Sequence, residues 1–314
     1  MTPLKTRAIA SAPASIGNVG VGYDVLGMAF DCARDKVTAI RTDQPGVRLG
    51  KVSGLVTELP DQVDQNCALA AANALLNHAK NPFGARLDLV KAIPLSAGMG
   101  GSAASAVAAV GAVNALLDTP LPVADLLAFA LEGERVSANP PPIDNVMASL
   151  LGGLVIAARL EPPLIRRLPV PDGIGCILFH PDRQTQTRTA RDLLSPSVSQ
   201  NIAVEHARNI ASFVAGCTLD DRDLIASGLK DIFIEPQRLP LLPELSAVQG
   251  AAMSAGALGC SFSGSGPSVF AWAPIEAQDQ VTLAMVTAFK AQDCQATLYQ
   301  GPLNSDGLHI ESVI

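Results

Sequence analysis

A glycine-rich segment at residues 93–107, IPLSAGMGGSAASAV, contains the residue types that could bind a phosphate group. Gly98, Gly100 and Gly101 would let the backbone approach a ligand closely. Ser102 would offer a hydroxyl group on the first turn of a following helix, whose positive end would attract an anion. The same small residues would equally allow a helix to pack closely against its neighbours. The segment alone therefore leaves a phosphate site and a packing motif open.

Two common nucleotide-binding patterns do not fit the sequence. A Walker A loop needs G-x-x-x-x-G-K-[ST], and the nearest segment, GVRLGKV at residues 46–52, has a different spacing and lacks the hydroxyl. The glycines of residues 98–101 are too close together for the dinucleotide pattern G-x-G-x-x-G. A nucleotide bound at residues 93–107 would thus be held without a Walker lysine.

The composition narrows the class of protein. Of the 314 residues, 48% are hydrophobic and 16% are charged, which is too apolar for a disordered chain. The net charge is -7 and no basic run occurs, so nucleic acid is not expected as a partner. The six cysteines and four histidines are widely spaced, which argues against a disulfide framework and against a zinc site. These features predict a cytoplasmic protein with reduced thiols.

The uncharged run at residues 98–117 is about 20 residues long, which is enough to span a membrane. Alanine and glycine dominate the run, and neither flank has an aromatic or basic anchor. The N-terminus also lacks the apolar region of a signal peptide. We therefore expect a buried helix and no membrane partner.

Strand and helix patterns alternate without a strict β-α-β rhythm, which predicts an α+β fold. We expect a glycine-rich turn at residues 11–27 and a proline loop at residues 139–145, and the most linker-like stretch is residues 161–173. The domains are accordingly placed at residues 1–160 and 161–314. Strands are predicted at residues 6–10, 35–41, 87–94, 175–181 and 267–272, and helices at residues 66–78, 101–117, 124–137, 203–215, 245–254 and 281–292.

Five blocks of the sequence, in order, resemble the motifs of the GHMP kinases. PLSAGMGGSAA resembles the ATP loop P-x-G-x-G-L-G-S-S-A of that family, which binds nucleotide without a Walker lysine. Three further blocks, APASIGNVGVGYDVLGMA, IDNVMASLLGG and DIFIEPQRLPLLP, are similar to the versions found in its homoserine kinase branch. The last block, GALGCSFSGSGPSVFA, resembles the third motif of the family as a whole. One glycine loop would be weak support, whereas five ordered blocks span nearly the whole chain.

The resemblance implies a fold, an activity and partners. The implied fold is the two-domain GHMP kinase fold, with an N-terminal nucleotide-binding domain like domain 2 of ribosomal protein S5 and a ferredoxin-like C-terminal domain. The implied activity is the Mg²⁺-dependent transfer of phosphate from ATP to the side-chain hydroxyl of L-homoserine, giving O-phospho-L-homoserine for threonine biosynthesis. A homodimer is also suggested. A kinase for another small alcohol, or a non-catalytic binding regulator with the same fold, are the alternatives.

The resemblance also assigns the nucleotide and metal sites. From the residues alone, Asn66 is a helix N-cap, Gly264 belongs to a tight turn, and Glu134 is more often a solvated helical residue, so their ligand roles rest on the resemblance. Lys91 could reach a phosphate or lie at the surface, and we favour the surface position. Magnesium would be held by Ser102 and Glu134. ATP would be bound by Asn66, Pro94, Ser96, Ala97, Gly98, Met99, Gly100, Gly101, Ser102, Ala103 and Gly264.

The substrate residues carried over from the family are Asn18, Asp24, Asn145, Arg191 and Arg238. An arginine pair suits the carboxylate of homoserine, and Asp24 suits its ammonium group. Asn145 could hydrogen-bond the attacking hydroxyl but cannot accept its proton, so catalysis would rely on positioning, on magnesium or on proton loss to a phosphate oxygen. Asn145, Arg191 and Glu134 are the predicted catalytic residues. Taken singly, Asn18 and Asp24 could be turn formers, and the arginines could be surface groups.

Three positions depart from the family pattern. Pro142 stands where the family usually has histidine, within the run Asn139-Pro140-Pro141-Pro142. Ser96 occupies the usual position of the first loop glycine, and Gly101 that of the first of two serines. These changes bear on substrate contacts and turnover more than on nucleotide binding.

Overall fold

The chain forms two β-sheets, each packed against helices, in a computed structural model that describes residues 4–80 and 83–314. The strands are β1 (Arg7–Gly17), β2 (Leu26–Thr42), β3 (Val47–Gly54), β4 (Gly84–Lys91), β5 (Leu154–Arg159), β6 (Leu164–Leu168), β7 (Ile174–Pro181), β8 (Gly259–Phe262), β9 (Val269–Pro274), β10 (Ala296–Pro302) and β11 (His309–Val313). The helices are α1 (Cys67–His78), α2 (Gly101–Leu116), α3 (Leu126–Glu134), α4 (Ile143–Leu151), α5 (Thr187–Asp192), α6 (Gln200–Leu219), α7 (Arg222–Gly228), α8 (Glu235–Arg238), α9 (Leu245–Ser254) and α10 (Gln278–Ala291).

The first sheet has the order β11-β1-β2-β4-β3, and β5 pairs with β2 while β6 pairs with β5. Its pairs are antiparallel except β3 with β4, which are parallel. Helix α2 packs on β1 and β2 and also against α1 and α3. Because α2 consists mainly of alanine, glycine and valine, it can be buried on nearly all sides at close distance. The uncharged run is therefore a core helix of 16 residues.

None of the helices in residues 4–80 and 83–314 combines the length and apolarity needed to cross a membrane.

The second sheet is antiparallel with the order β10-β7-β9-β8, and α9 and α10 pack against it. Phe179 and Phe289 pack together with ring centroids 5.6 Å apart, so α10 and β7 share one core. Phe213 of α6 packs on Trp272 of β9, with centroids 5.2 Å apart. The α+β fold predicted from the sequence is confirmed.

The sheets do not divide the chain at one point. Strand β6 and the late strand β11 both belong to the first sheet, although they lie beyond residue 160. Strand β11 pairs with β1 over Ala8–Ser11, which closes that side of β1. Strands from both sides of residue 160 hydrogen-bond into one sheet, and the predicted domain boundary between residues 160 and 161 stays a prediction.

For the helices predicted at residues 66–78, 101–117 and 245–254, the first residue is confirmed to within one position. The glycine-rich turn at residues 11–27 is wrong in extent, since β1 continues to Gly17 and β2 begins at Leu26. The strand ends pair Ala14–Gly17 with Gly27–Phe30 and are buried on both faces, so they lack the polar alternation by which a strand is recognised. The proline loop is also shorter than predicted, because α4 already begins at Ile143.

A buried ion pair joins β2, β4 and α2. Lys91, at the end of β4, is 2% exposed and pairs with Asp35, which is 1% exposed. The Lys91 Nζ also donates to the Gly101 carbonyl at 2.9 Å and to the Ser105 hydroxyl at 2.7 Å. Asp35 Oδ1 accepts from the backbone N–H of Ala92 at 2.9 Å. Lys91 is thus neither a surface lysine, as we expected, nor free to reach a phosphate.

Replacing Lys91 with methionine should lower the free energy of unfolding by about 3–5 kcal/mol, because Asp35 would stay buried without its partner. Urea unfolding followed by circular dichroism measures the difference. Lys36→Met is the matched control, since Lys36 pairs with Glu311 at 2.7 Å on the surface and such pairs contribute about 1 kcal/mol or less. Equal losses for the two variants would contradict a structural role for the buried pair.

Candidate active site

The segment between β4 and α2 forms a tight loop that borders a cavity. Ser96, Gly98 and Gly100 have positive φ angles of 53°, 74° and 66°. A Cβ atom on Gly98 would lie 2.5 Å from the carbonyl oxygen of Ser263, and one on Gly100 would lie 2.0 Å from the hydroxyl oxygen of Ser15. Glycine is therefore required at residues 98 and 100 by both backbone conformation and space.

Helix α2 begins at this loop with free backbone donors. Its first hydrogen bond runs from the Ala104 N–H to the Gly100 carbonyl at 2.9 Å, so the N–H groups of Gly101, Ser102 and Ala103 precede the intrahelical ladder. Gly100, in the left-handed conformation, provides no side-chain cap. Within the described residues, the helix start thus combines N–H groups outside the intrahelical hydrogen bonds with the positive end of the helix dipole, which suits a phosphate.

The loop faces a cavity of about 400 Å³, which we call the phosphate cavity. Both halves of the chain contribute to it. Its lining consists of residues 94–102, Glu134 and Ser137, Pro142 and Asn145, residues 185–188, and Gly264 with Ser265.

Segments near the second sheet hold the loop between β4 and α2, which we call the phosphate loop, in place. The Ser263 hydroxyl donates to the Gly98 carbonyl at 2.6 Å. The Thr185 N–H donates to the Ser96 carbonyl at 3.0 Å. Gly264, which follows Ser263, therefore lies in the cavity wall opposite the start of α2. The phosphate cavity is formed only when the two sheets are packed together.

A buried carboxyl group lies at the start of α2. Glu134, 1% exposed, accepts hydrogen bonds at Oε2 from the Ser102 hydroxyl at 3.0 Å and from the Ser137 hydroxyl at 3.2 Å. Within the described residues its other oxygen, Oε1, is buried and has no hydrogen-bond partner at ordinary geometry, although the Cys67 thiol is near enough to lower the Glu134 pKa as a hydrogen-bond donor. Burial raises the pKa of Glu134, and the hydrogen bond from Ser102 partly offsets this.

This arrangement fits a magnesium ion. A buried carboxylate oxygen without a partner, beside a hydroxyl in a phosphate cavity, is a hard oxygen donor set of the kind Mg²⁺ prefers. In residues 4–80 and 83–314, no cluster of three or more His, Cys, Asp or Glu side chains could hold a metal ion alone. Magnesium commonly takes one or two protein ligands and completes its shell with phosphate oxygens and water. Ser102 and Glu134 match that requirement.

A second, smaller cavity of about 30 Å³ adjoins the phosphate cavity, and we call it the substrate pocket. Asn145, Thr187 and Gly264 line both cavities, so the two spaces meet beside these residues. The five residues that the sequence predicts for the substrate all line the pocket: Asn18, Asp24, Asn145, Arg191 and Arg238.

One side of the pocket is formed by an ion pair between two segments far apart in sequence. The Arg191 Nη2 donates to both carboxylate oxygens of Asp24, at 3.2 and 3.3 Å. The Arg191 Nη1 also donates to the Pro140 carbonyl. Asp24 and Asn18 both have positive φ angles, 54° and 64°, and the Asn18 Oδ1 accepts from the Asp24 N–H at 3.2 Å. The turn after β1 is thus folded around its own side chains and presents a carboxylate to the pocket.

Arg238 is a buried cation in the same pocket. It is 3% exposed, its Nη1 donates to the Gly264 carbonyl at 2.9 Å, and its guanidinium lies 5.3 Å from the ring centroid of Tyr23. Its Nε has no hydrogen-bond partner within the described residues. A buried charged donor left unpaired is costly. A carboxylate bound in the pocket would satisfy it.

Asn145 lies on the first turn of α4, where its Oδ1 accepts from the Ser15 hydroxyl at 3.0 Å. Its neighbour Asp144 is 2% exposed and was not among the residues chosen from the sequence. The Asp144 Oδ2 accepts from the Asn18 N–H at 2.9 Å, and the Asn145 Nδ2 lies 3.4 Å from the Asp144 Oδ1. Asp144 therefore connects the turn that carries Asp24 with Asn145.

Burial, together with the nearby carboxylate of Asp24, raises the pKa of Asp144 to about 7. Hydrogen bonds from the backbone N–H groups of Asn145 and Asn18, and the charge of Arg191, act in the opposite direction. A carboxyl group with this pKa changes charge near neutral pH.

Comparison with known proteins places this site in a family. The model of the GHMP kinase N-terminal domain matches residues 66–153, and the model of the GHMP kinase C-terminal region matches residues 213–291. A homoserine kinase from Xylella fastidiosa is 42% identical over 311 residues, which cover 98% of this chain and 95% of that protein. The chain belongs to the GHMP kinase family.

Its similarity to homoserine kinases within the GHMP family extends over nearly full length. A homoserine kinase from Xanthomonas campestris pv. campestris is 40% identical over 302 residues, covering 95% of this chain and 92% of that protein. The crystal structure of the homoserine kinase from Cytophaga hutchinsonii superimposes with a TM-score of 0.93 at 36% identity, covering 99% of both chains. The two-domain GHMP kinase fold predicted from the sequence is confirmed, and the protein is a kinase.

The structure brings most of the predicted residues of this GHMP kinase together. Ser102 and Glu134 are hydrogen-bonded to each other at the phosphate cavity, and their role toward magnesium stays a prediction. The predicted nucleotide residues that line the cavity are Pro94, Ser96, Ala97, Gly98, Met99, Gly100, Gly101, Ser102 and Gly264. Their roles toward ATP stay predictions.

Two predicted nucleotide residues do not line the phosphate cavity. Asn66 caps α1, where its Oδ1 accepts from the N–H groups of Ala68 at 3.1 Å and Leu69 at 3.3 Å, and its Nδ2 donates to the Pro60 carbonyl at 2.8 Å. Its side chain is thus already engaged, and a contact with the base of the nucleotide stays a prediction. Ala103 is fully buried in α2, so only its backbone N–H could serve a phosphate.

The three departures from the GHMP pattern have clear positions. Pro142 precedes α4 and lines both cavities, where a histidine would have offered a ring nitrogen. Ser96 has the positive φ that glycine adopts without strain. A Cβ atom on Gly101 would approach the side chain of Ile93 to 3.1 Å, so a larger residue at this position would need a small shift.

Sequence reasoning missed the segment at residues 185–188 and Asp144. The segment has no glycine-rich motif, and its place in the cavity wall depends on how the second half folds against the first. The sequence did contain a signal for Asp144, because this acidic residue directly precedes the predicted substrate residue Asn145 in the block IDNVMASLLGG.

Asp144→Asn tests the raised pKa. Between about pH 4 and pH 7, the Asp144 carboxyl group is still protonated in the folded state but has lost its proton in the unfolded state. This difference destabilises the wild-type protein increasingly as the pH rises through that window. We therefore expect the melting temperature of Asp144→Asn, relative to the wild type, to increase from pH 4.5 to pH 8. Thermal unfolding at a series of pH values measures it, with Asp61→Asn in an exposed connection as the control. A difference between Asp144→Asn and wild type that does not vary with pH would contradict the assignment.

Proposed function

We propose that this GHMP kinase phosphorylates the side-chain hydroxyl of L-homoserine with ATP and Mg²⁺ to give O-phospho-L-homoserine. The observation that carries the proposal is the substrate pocket, in which two arginines and a carboxylate adjoin a phosphate cavity. The full-length relatives are homoserine kinases, which agrees with this choice. The product would enter threonine biosynthesis.

The charges of the substrate pocket complement those of homoserine. Arg238, with its unpaired Nε, would bind the substrate carboxylate, and Arg191 would complete the clamp. Asp24 would accept hydrogen bonds from the ammonium group, and Asn18 holds the turn that carries Asp24. Because both arginines are already anchored, by the Gly264 carbonyl and by Asp24, their positions are largely set before substrate binds.

Transfer requires the hydroxyl to face the terminal phosphate. Asn145 lines both cavities, and its amide would hydrogen-bond the attacking hydroxyl at their junction. A bond forms between this oxygen and the γ-phosphorus, the bond to the bridging oxygen of ADP breaks, and the hydroxyl proton passes to a phosphoryl oxygen. Asn145 cannot hold that proton near neutral pH, so its part is positioning.

The nucleotide phosphates would bind at the N-terminal end of α2, with the glycine loop allowing close approach. Magnesium, held by Ser102 and Glu134, would neutralise phosphate charge. Binding of the cation would also compensate the unpaired Glu134 Oε1. A homodimer and a cytoplasmic location rest on the family resemblance and the composition, and they are part of this proposal.

ADP release with Mg-ATP and a panel of homoserine, mevalonate, galactose and shikimate tests the substrate. We expect turnover with homoserine only, because the pocket pairs an arginine clamp with a carboxylate, whereas the other three lack an ammonium group. Turnover of another alcohol without homoserine would refute the substrate assignment. ATP binding without turnover of any of them would favour a binding regulator.

Arg238→Ala should raise the KM for homoserine by about 10- to 100-fold, because the carboxylate would lose a charge-assisted hydrogen bond. The KM for ATP should change by less than about threefold. Arg238→Lys keeps the charge and should lie between wild type and alanine. Arg222→Ala, which removes an arginine paired with Glu276 at 2.8 Å on the surface, is the control. Equal changes in both KM values in a variant that melts normally would exclude a carboxylate clamp.

A further inference from the structure

Helix α5 carries one arginine for each cavity. Thr187, its first residue, lines both the phosphate cavity and the substrate pocket. Arg188 follows and lines the phosphate cavity, whereas Arg191 lines the substrate pocket. Residues three apart lie on neighbouring turns of one helix face. The helix therefore places a cation on each side of the junction where the hydroxyl must meet the phosphate.

Arg188 has an unusual electrostatic position. Among the residues that line the phosphate cavity, all within the described ranges, it is the one basic side chain. Lys91 lies at the start of the phosphate loop, but it is buried and paired with Asp35. Glu134 adds negative charge to the cavity. Arg188 therefore adds a cationic side chain to the cavity beside the positive end of α2.

The backbone around Arg188 is fixed on both sides. The Thr185 N–H donates to the Ser96 carbonyl at 3.0 Å, which ties the segment to the phosphate loop. Arg191 is held by Asp24, and Ala190 is fully buried. The Arg188 side chain itself is exposed, and within the described residues its guanidinium makes no hydrogen bond or ion pair. A fixed backbone thus presents a free guanidinium at the cavity.

We propose that Arg188 binds the terminal phosphoryl group of ATP and stabilises its charge during transfer. The inference rests on the proposed kinase function and adds a residue that the family resemblance did not assign. A guanidinium can donate two parallel hydrogen bonds to a phosphoryl group. Its place beside Thr187, at the junction of the cavities, selects the terminal phosphate over those nearer the nucleoside. Phosphoryl transfer depends on such charge stabilisation.

The test compares ATP with ADP. Binding of each nucleotide, with Mg²⁺ and without homoserine, is measured by isothermal titration calorimetry for wild type, Arg188→Ala and Arg188→Lys. We expect Arg188→Ala to weaken ATP binding by about 10-fold or more and ADP binding by less than about threefold. The kcat should fall by at least the same factor, the KM for homoserine should stay within about threefold, and Arg188→Lys should recover part of the loss.

Arg183→Ala is the matched control, because Arg183 lies in the same connection but pairs with Glu244 and does not line the cavity. Melting temperatures establish that each variant is folded. Unchanged ATP affinity and kcat in Arg188→Ala would overturn the proposal and leave a solvated surface arginine. Equal weakening of ATP and ADP would overturn the assignment to the terminal phosphate. If wild type binds ATP but does not phosphorylate homoserine, the proposed function fails, while the selective loss of ATP affinity in Arg188→Ala would still support the contact.

Discussion

The buried pair of Asp35 and Lys91 is the interaction on which the geometry of the site depends. Lys91 precedes the phosphate loop, and its ammonium group bonds the carbonyl of Gly101, which follows the loop. Asp35 accepts from the N–H groups of Ala92 and Ile93, at 2.9 and 3.2 Å, so the departing backbone is also fixed. One ion pair thus sets the distance between the two ends of the loop. Burial makes such a pair costly, and the additional hydrogen bonds of Lys91 and Asp35 offset that cost.

The second half of the chain then determines the conformation of the loop between those ends. Hydrogen bonds from Ser263 and Thr185 reach the loop carbonyls, and the missing side chain of Gly98 makes the approach of Ser263 feasible. Asn18 extends the connection, because its Nδ2 donates to the Gly264 carbonyl at 3.0 Å. The loop between β4 and α2, the turn after β1 and the loop of Ser263 and Gly264 are therefore parts of one hydrogen-bonded unit. A change in the packing of the two sheets would alter both cavities together.

The sequence was most informative about site residues that lie in local sequence motifs. The glycine loop, Ser102 and most of the substrate residues lie in ordered blocks, whereas Glu134 and Arg191 were assigned by the family resemblance outside those blocks. The structure brings all of them to two adjoining cavities. Properties that depend on burial were missed. Lys91 looks like a strand-end surface residue until Asp35, 56 residues earlier, is seen beside it. Arg188 lies in no motif, and only the packing of α5 against the loop reveals its position. The strand ends near Gly17 and Leu26 were not predicted from the sequence, because a strand that is buried on both faces lacks the alternating polar and apolar pattern.

The pairing of β11 with β1 has a consequence for folding during synthesis on the ribosome. Strand β1 is made first and forms the frame of the nucleotide half, yet its outer neighbour, residues 309–313, is translated after every other element described here. Until then one side of β1 presents unpaired N–H and C=O groups, a feature that invites association with other chains. The nascent first sheet therefore keeps this edge of β1 open until β11 is available to pair with it. The first sheet is therefore completed only after residues 309–313 have been synthesised.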